Sequence, residues 1–148
     1  MRPPIFSPHS VGDTPQDYMH RARQFREAAM SLPDYKGGEQ FWPKYALLTH
    51  AIELALKAYV RHSAFNRNSV LKQPKQHDLS GWYQLALQYG LTNEPGVADN
   101  IDLLNELHFN HYSRYPQNRS RPIPDASVIA DSTVDALMFA FTQVINPR

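Results

Sequence analysis

A stripe of polar residues runs along an otherwise apolar stretch of the sequence. His50, Glu53, Lys57 and Arg61 follow one another at intervals of three and four residues, which places them on one face of a helix. Glu53 precedes Lys57 by four residues, the favourable order for an ion pair. A polar stripe on an apolar helix must face water or find polar partners. The stripe therefore indicates either a solvated edge with one modest salt bridge or a cleft lined by a carboxylate and cations.

A second group is the run His77-Asp78-Leu79. Asp78 is a favourable N-cap, and Leu79 can anchor the helix that follows. Capping alone explains this motif, with His77 hydrogen-bonded to a neighbouring helix. The functional alternative is an imidazole that exchanges protons near neutral pH.

A third group is His108, His111 and Arg114, near the end of another apolar helical pattern. A cation at a helix C-terminus is favoured by the helix dipole, but Arg114 could equally bind phosphate or carboxylate. Arg119 and Arg121 in the following basic segment would extend such a cleft. His108 and His111 are three residues apart, yet no close carboxylate completes a metal site. We therefore expect neither a metal nor a cofactor.

Composition excludes several classes of protein. The chain has 148 residues, 42% of them apolar, a formal charge of +1 and no cysteine. These values indicate a folded domain without disulfides, thiol nucleophiles or cysteine-bound zinc. No apolar run approaches a membrane span, the N-terminus lacks the apolar core of a signal peptide, and no glycine-flanked serine elbow is present. We expect a cytoplasmic protein that does not contact a membrane.

Helical periodicity accounts for most of the chain. Residues 1–13 read as a proline-rich arm, and residues 14–148 as one helical domain. Predicted helices run from a Thr14 cap to about residue 32, from about 40 to 63, from 79 to 89, from about 97 to 112, and from Asp125 or Ser127 to Ile145. The segments 34–38, 66–76 and 117–124 read as loops, and no strand pattern is convincing. The sequence predicts an all-α, five-helix bundle.

Three motifs, in this order, resemble the HEPN family, named for a higher eukaryote and prokaryote nucleotide-binding domain. They are His50-Ala-Ile-Glu-Leu-Ala-Leu-Lys-Ala58, His77-Asp-Leu79 and Tyr112-Ser-Arg-Tyr-Pro116. The resemblance covers roughly residues 17–145 and is closest to the compact prokaryotic branch. It implies an up-and-down bundle that is often a homodimer. Many such domains are metal-independent RNases, others bind ligands or partners, and many pair with a nucleotidyltransferase-type antitoxin.

The sequence departs from the RNase motif of that family, which is an arginine followed after four to six residues by a histidine. No histidine follows Arg114 at that distance, and the only formal match, Arg2 to His9, lies in the arm. The resemblance thus implies a noncatalytic module that binds nucleotide, RNA or a partner protein.

Within such a module, Glu53 and Lys57 are predicted to form a polar seam between helices. His77, His111 and Arg114, extended by Arg119 and Arg121, are predicted to line a phosphate-facing cleft. Two alternatives stay open. The chain is an RNase toxin with a displaced catalytic histidine, or it is a purely structural interaction bundle.

Overall fold

The computed structural model describes residues 14–66, 73–75, 77–109 and 123–146. These residues form α1 (Pro15–Met30), β1 (Tyr35–Lys36), β2 (Glu39–Gln40), α2 (Trp42–Asn66), α3 (Leu79–Gln88), α4 (Pro95–Phe109) and α5 (Ala126–Ile145). The all-α bundle of five helices is thereby confirmed. The predicted arm 1–13 lies outside the described residues, as do His111, Arg114, Arg119 and Arg121.

Helix α1 begins where its capping signals predict. The Thr14 hydroxyl accepts a hydrogen bond from the Asp17 amide at 3.1 Å, and the Asp17 carboxylate accepts one from the Thr14 amide. This capping box satisfies two amides that the helix itself cannot pair. Arg26, further along the helix, donates to Asp131 and Asp135 of α5, each at 2.9 Å. That arginine therefore ties the first helix to the last.

The predicted loop at residues 34–38 contains part of a small β-hairpin. Tyr35 pairs with Gln40, and Lys36 pairs with Glu39. Gly37 and Gly38 both have positive φ, 65° and 83°. A common type of two-residue hairpin turn requires positive φ at both of its central residues. Strands of two mostly exposed residues carry no apolar alternation, so the sequence pattern could not reveal them.

Helix α2 is the centre of the bundle and packs against all four other helices. It extends to Asn66, three residues beyond its predicted end near Ser63. The side chains that are fully buried along it include Leu48, Ile52 and Leu56. A helix that is apolar on nearly all sides has this central position because each face needs a partner.

Helix α5 is one continuous element with a π-helical turn at Ala130–Val134, between α-helical segments Ala126–Ile129 and Asp135–Ile145. Asp125 occupies the N-cap but makes no side-chain capping bond. By length and a mean hydropathy of 1.4, the helix could cross a membrane, although no apolar run of that length was expected. One such helix is weak evidence for a membrane span, since core helices of soluble proteins meet the same criterion.

Candidate functional site

Glu53 lies in the interior, at the middle of α2, with only 2% of the residue exposed. Its carboxylate has two partners among the residues that the structure describes. Lys57 Nζ lies 2.6 Å from Oε2, and His77 Nδ1 lies 2.9 Å from Oε1. Glu53 is thus a buried charge with compensation on both oxygens, and not part of a solvated helix edge. Glu53 and Lys57 pair within α2, and His77 joins them from the turn before α3.

The turn before α3 positions His77. Its backbone has φ 66°, in the left-handed region that non-glycine residues seldom adopt. The next residue, Asp78, caps α3 as predicted by accepting from the Gly81 amide at 3.0 Å. The Leu79 amide donates to Asn105 Oδ1 of α4, also at 3.0 Å. The two residues that follow His77 are therefore held in place by the cap of α3 and by a contact with α4.

The contact with Glu53 assigns the protons of the His77 ring. An ionised carboxylate only accepts hydrogen bonds, so Nδ1 must be the donor. Nε2 remains for another partner, as an acceptor in the neutral ring and as a donor in the protonated ring. The side chain of His77 is 42% exposed, whereas that of Glu53 is 3% exposed. A buried carboxylate thus orients an imidazole that a ligand can reach.

Two further imidazoles lie beside His77. Its ring centroid is 6.4 Å from that of His50 on α2 and 5.5 Å from that of His108 on α4. His50 also packs edge-on against Phe25 of α1, with 4.4 Å between ring centroids. We call Glu53, Lys57 and these three histidines the histidine cluster. Its histidines come from distant parts of the chain, so no local spacing in the sequence could have grouped them.

Burial and the neighbouring polar groups have opposite effects on the pKa of Glu53. Burial alone would raise the pKa of Glu53, but hydrogen bonds from Lys57 and His77 outweigh it and hold the pKa below its usual value. Burial lowers the pKa of His50, and the neighbouring charge of Glu53 only partly opposes that effect. Glu53 is therefore ionised and His50 neutral at pH 7.

Acidification is expected to destabilise the fold through both groups. A pKa that is lower in the folded than in the unfolded chain means that the unfolded chain binds more protons. The free energy of unfolding should thus fall as pH drops below 6.5, the ordinary value for His50, and fall further below about 4.5 through Glu53. Urea titrations in EDTA at pH 7.5 and 5.5 measure the first step. A His50→Phe variant should show a smaller fall than the unchanged protein, and an equal fall would contradict the assignment to His50.

The polar stripe of α2 divides between two environments. The Lys57 ammonium lies 5.3 Å from the centre of the buried Trp82 ring while it pairs with Glu53. The Arg61 guanidinium lies instead over the Tyr18 ring of α1, at 5.1 Å. Arg61 therefore packs against the first helix, and the chemistry of the stripe is concentrated at Glu53 and Lys57.

The structure brings together Glu53, Lys57 and His77 of the predicted site, and adds His50 and His108. The four remaining predicted residues fall in the segment that is not described. No family model, no curated protein and no solved structure matches this chain. Among the described residues, His50, Glu53 and His77 also form a group whose potential metal-ligand atoms all lie within 4.8 Å of one another.

Proposed function

We propose that the protein is a noncatalytic, HEPN-like helical module that binds a phosphate-bearing ligand, a nucleotide or RNA, at the histidine cluster. The observation that carries this proposal is His77, whose half-exposed ring is held at Nδ1 by the buried Glu53. Left-handed backbone at a non-glycine residue costs about 1–3 kcal/mol and is concentrated at functional sites. The order of motifs that resembles the HEPN family supports the same function.

The charges of the cluster suit a phosphate. Lys57 compensates Glu53, so the carboxylate does not repel an anion as an unpaired charge would. A protonated Nε2 of His77 donates to a phosphate oxygen, and such charge-assisted bonds are about twice as strong as neutral ones. His50 and His108 lie close enough to contact the same ligand.

Binding should depend on His77 more than on histidines elsewhere. We expect His77→Asn to weaken binding of ADP, or of a fluorescein-labelled single-stranded RNA, at least ~10-fold in EDTA, since a charge-assisted bond is worth about 1.5–3 kcal/mol. Asparagine tolerates the left-handed backbone, so the variant should fold. His20→Asn, an exposed position on α1, is the matched control. No binding of either probe by the unchanged protein, or equal binding by the two variants, would favour the purely structural bundle instead.

A second candidate function is a metal-independent RNase with a displaced histidine. A carboxylate that orients an imidazole is the arrangement used for general acid–base catalysis, and Glu53 and His77 have it. The same labelled RNA, incubated in EDTA, decides between binding and cleavage. Cleavage that is lost in His77→Asn and in Arg114→Ala would support the enzyme. An intact RNA that still binds would support the noncatalytic module.

We further propose that the module forms a homodimer through α5, that it is cytoplasmic, and that it pairs with a nucleotidyltransferase-type antitoxin. Phe139 is 65% exposed on α5. It lies at a groove that is largely apolar and includes Tyr59, Leu91 and Val144. A two-fold axis would bring the exposed ring of each copy against the groove of the other.

A charge at this position should separate the copies. We expect Phe139→Glu to reduce the mass in solution from that of a dimer to that of a monomer at micromolar concentration, because the interface would have to bury an unpaired carboxylate. Light scattering after gel filtration measures the mass. Ser127→Glu, at an exposed position of the same helix that does not line the groove, controls for added charge. A monomeric unchanged protein, or a dimeric Phe139→Glu variant, would contradict the proposed interface.

A further inference from the structure

The donor atoms of His50, Glu53 and His77 form a compact set on two rigid elements. His50 and Glu53 are three residues apart on α2, so both project from the same face of that helix. His77 reaches them from the turn before α3, with Nδ1 at 2.9 Å from Glu53 Oε1. All three ligand atoms lie within 4.8 Å of one another. Two imidazoles and one carboxylate are donors that zinc and similar transition metals prefer.

The spacing is close to that of a bound metal. At zinc–ligand distances of about 2.0–2.1 Å, neighbouring donors in a tetrahedral site lie about 3.3 Å apart. The contact between His77 and Glu53, at 2.9 Å, already has this scale, and the ligand atom of His50 lies within 4.8 Å of both. The Lys57 ammonium pairs with Oε2 of Glu53, so Oε1 of the same carboxylate can bind the metal.

We propose that His50, Glu53 and His77 bind one divalent transition-metal ion of the zinc type, with an open position for an exogenous ligand. The ion binds the His77 nitrogen that faces Glu53, and the proton of the neutral ring then lies on Nε2, so the ring keeps one proton when the ion is bound. This differs from the absence of a metal expected from the sequence. It does not depend on phosphate binding, since zinc can occupy the three donors with no phosphate present.

The test is a calorimetric titration of the whole untagged chain with zinc chloride at pH 7.5, without phosphate or nucleotide. We expect one ion per chain. His77→Asn and His50→Phe should weaken binding at least ~100-fold, because even changes to groups behind the ligands cost 10–100-fold. His20→Asn should bind as the unchanged protein does. Magnesium should not bind, since it prefers an all-oxygen site.

Cobalt offers a second readout that surface histidines cannot imitate. A cobalt ion held by these donors in a four-coordinate site gives a strong visible absorption, which should be absent in His77→Asn. Circular dichroism checks that each variant is folded. No zinc binding by the unchanged protein, or equal binding by His77→Asn and His20→Asn, would overturn the proposal. Neither result bears on the binding of ADP or RNA, which is measured in EDTA and is tested separately.

Discussion

Replacement of Lys57 by methionine should destabilise the protein by about 3–5 kcal/mol, the usual cost of breaking a buried ion pair from one side. The methionine keeps most of the apolar stem over Trp82 but removes the ammonium at 2.6 Å from Glu53. Glu53, with 3% of its side chain exposed, would keep only His77 as a partner among the described residues. Urea denaturation at pH 7.5 measures the change.

Two further variants are the controls for Lys57→Met. Lys75→Met removes an exposed lysine and should change stability by less than about 0.5 kcal/mol. The double variant Glu53→Leu, Lys57→Met should recover much of the loss, because apolar residues of similar volume often replace a buried pair without cost. If Lys57→Met were as harmless as Lys75→Met, the buried pair would not contribute to the fold as described.

A second large effect is expected at Trp82. The residue is 1% exposed, and its ring lies under the Lys57 ammonium at 5.3 Å. Trp82→Ala should cost about 3–5 kcal/mol, as is typical for large aromatic residues in cores. Since the ring supports Lys57 and thereby Glu53, the variant should also weaken binding of ADP. Thermal and urea unfolding, followed by circular dichroism, measure the stability.

Trp42 is the matched control for Trp82. It is the first residue of α2 and is only partly buried, so Trp42→Ala should cost clearly less than Trp82→Ala and leave the histidine cluster unchanged. An equal loss of stability in the two variants would mean that burial does not determine the cost of removing each ring. A Trp82→Ala protein of unchanged stability would contradict the core arrangement.

The fold could be predicted from the sequence where local signals are strong. Thr14 and Asp78 cap α1 and α3 as expected, and Gly90, with φ 106°, follows the end of α3. Prediction was weaker at the start of α4 and in the short hairpin. α4 begins at Pro95, two residues before its predicted start, because proline suits the first helical position. The hairpin at Tyr35–Gln40 was missed because its strands are only two residues long.

The site could be predicted only in part. The spacing of Glu53 and Lys57 revealed their pairing, since both lie on one helix. The contact of His77 with Glu53 spans 24 residues, and no local pattern encodes it. The sequence alone could not decide whether the polar stripe of α2 faces water or a cleft. That depends on how the turn before α3 packs against the stripe. His50 and His108 likewise join the cluster only through helix packing.

The most direct test of the central claim is site-resolved. Imidazole nitrogen–proton NMR spectra of the ¹⁵N-labelled protein, in EDTA, would follow each histidine while ADP is added. We expect the Nε2 signal of His77 to move most and to saturate, while Nδ1 stays protonated against Glu53 and the signal of His20 stays in place. No change at His77, or equal changes at His77 and the exposed His20, would contradict a phosphate site at the histidine cluster.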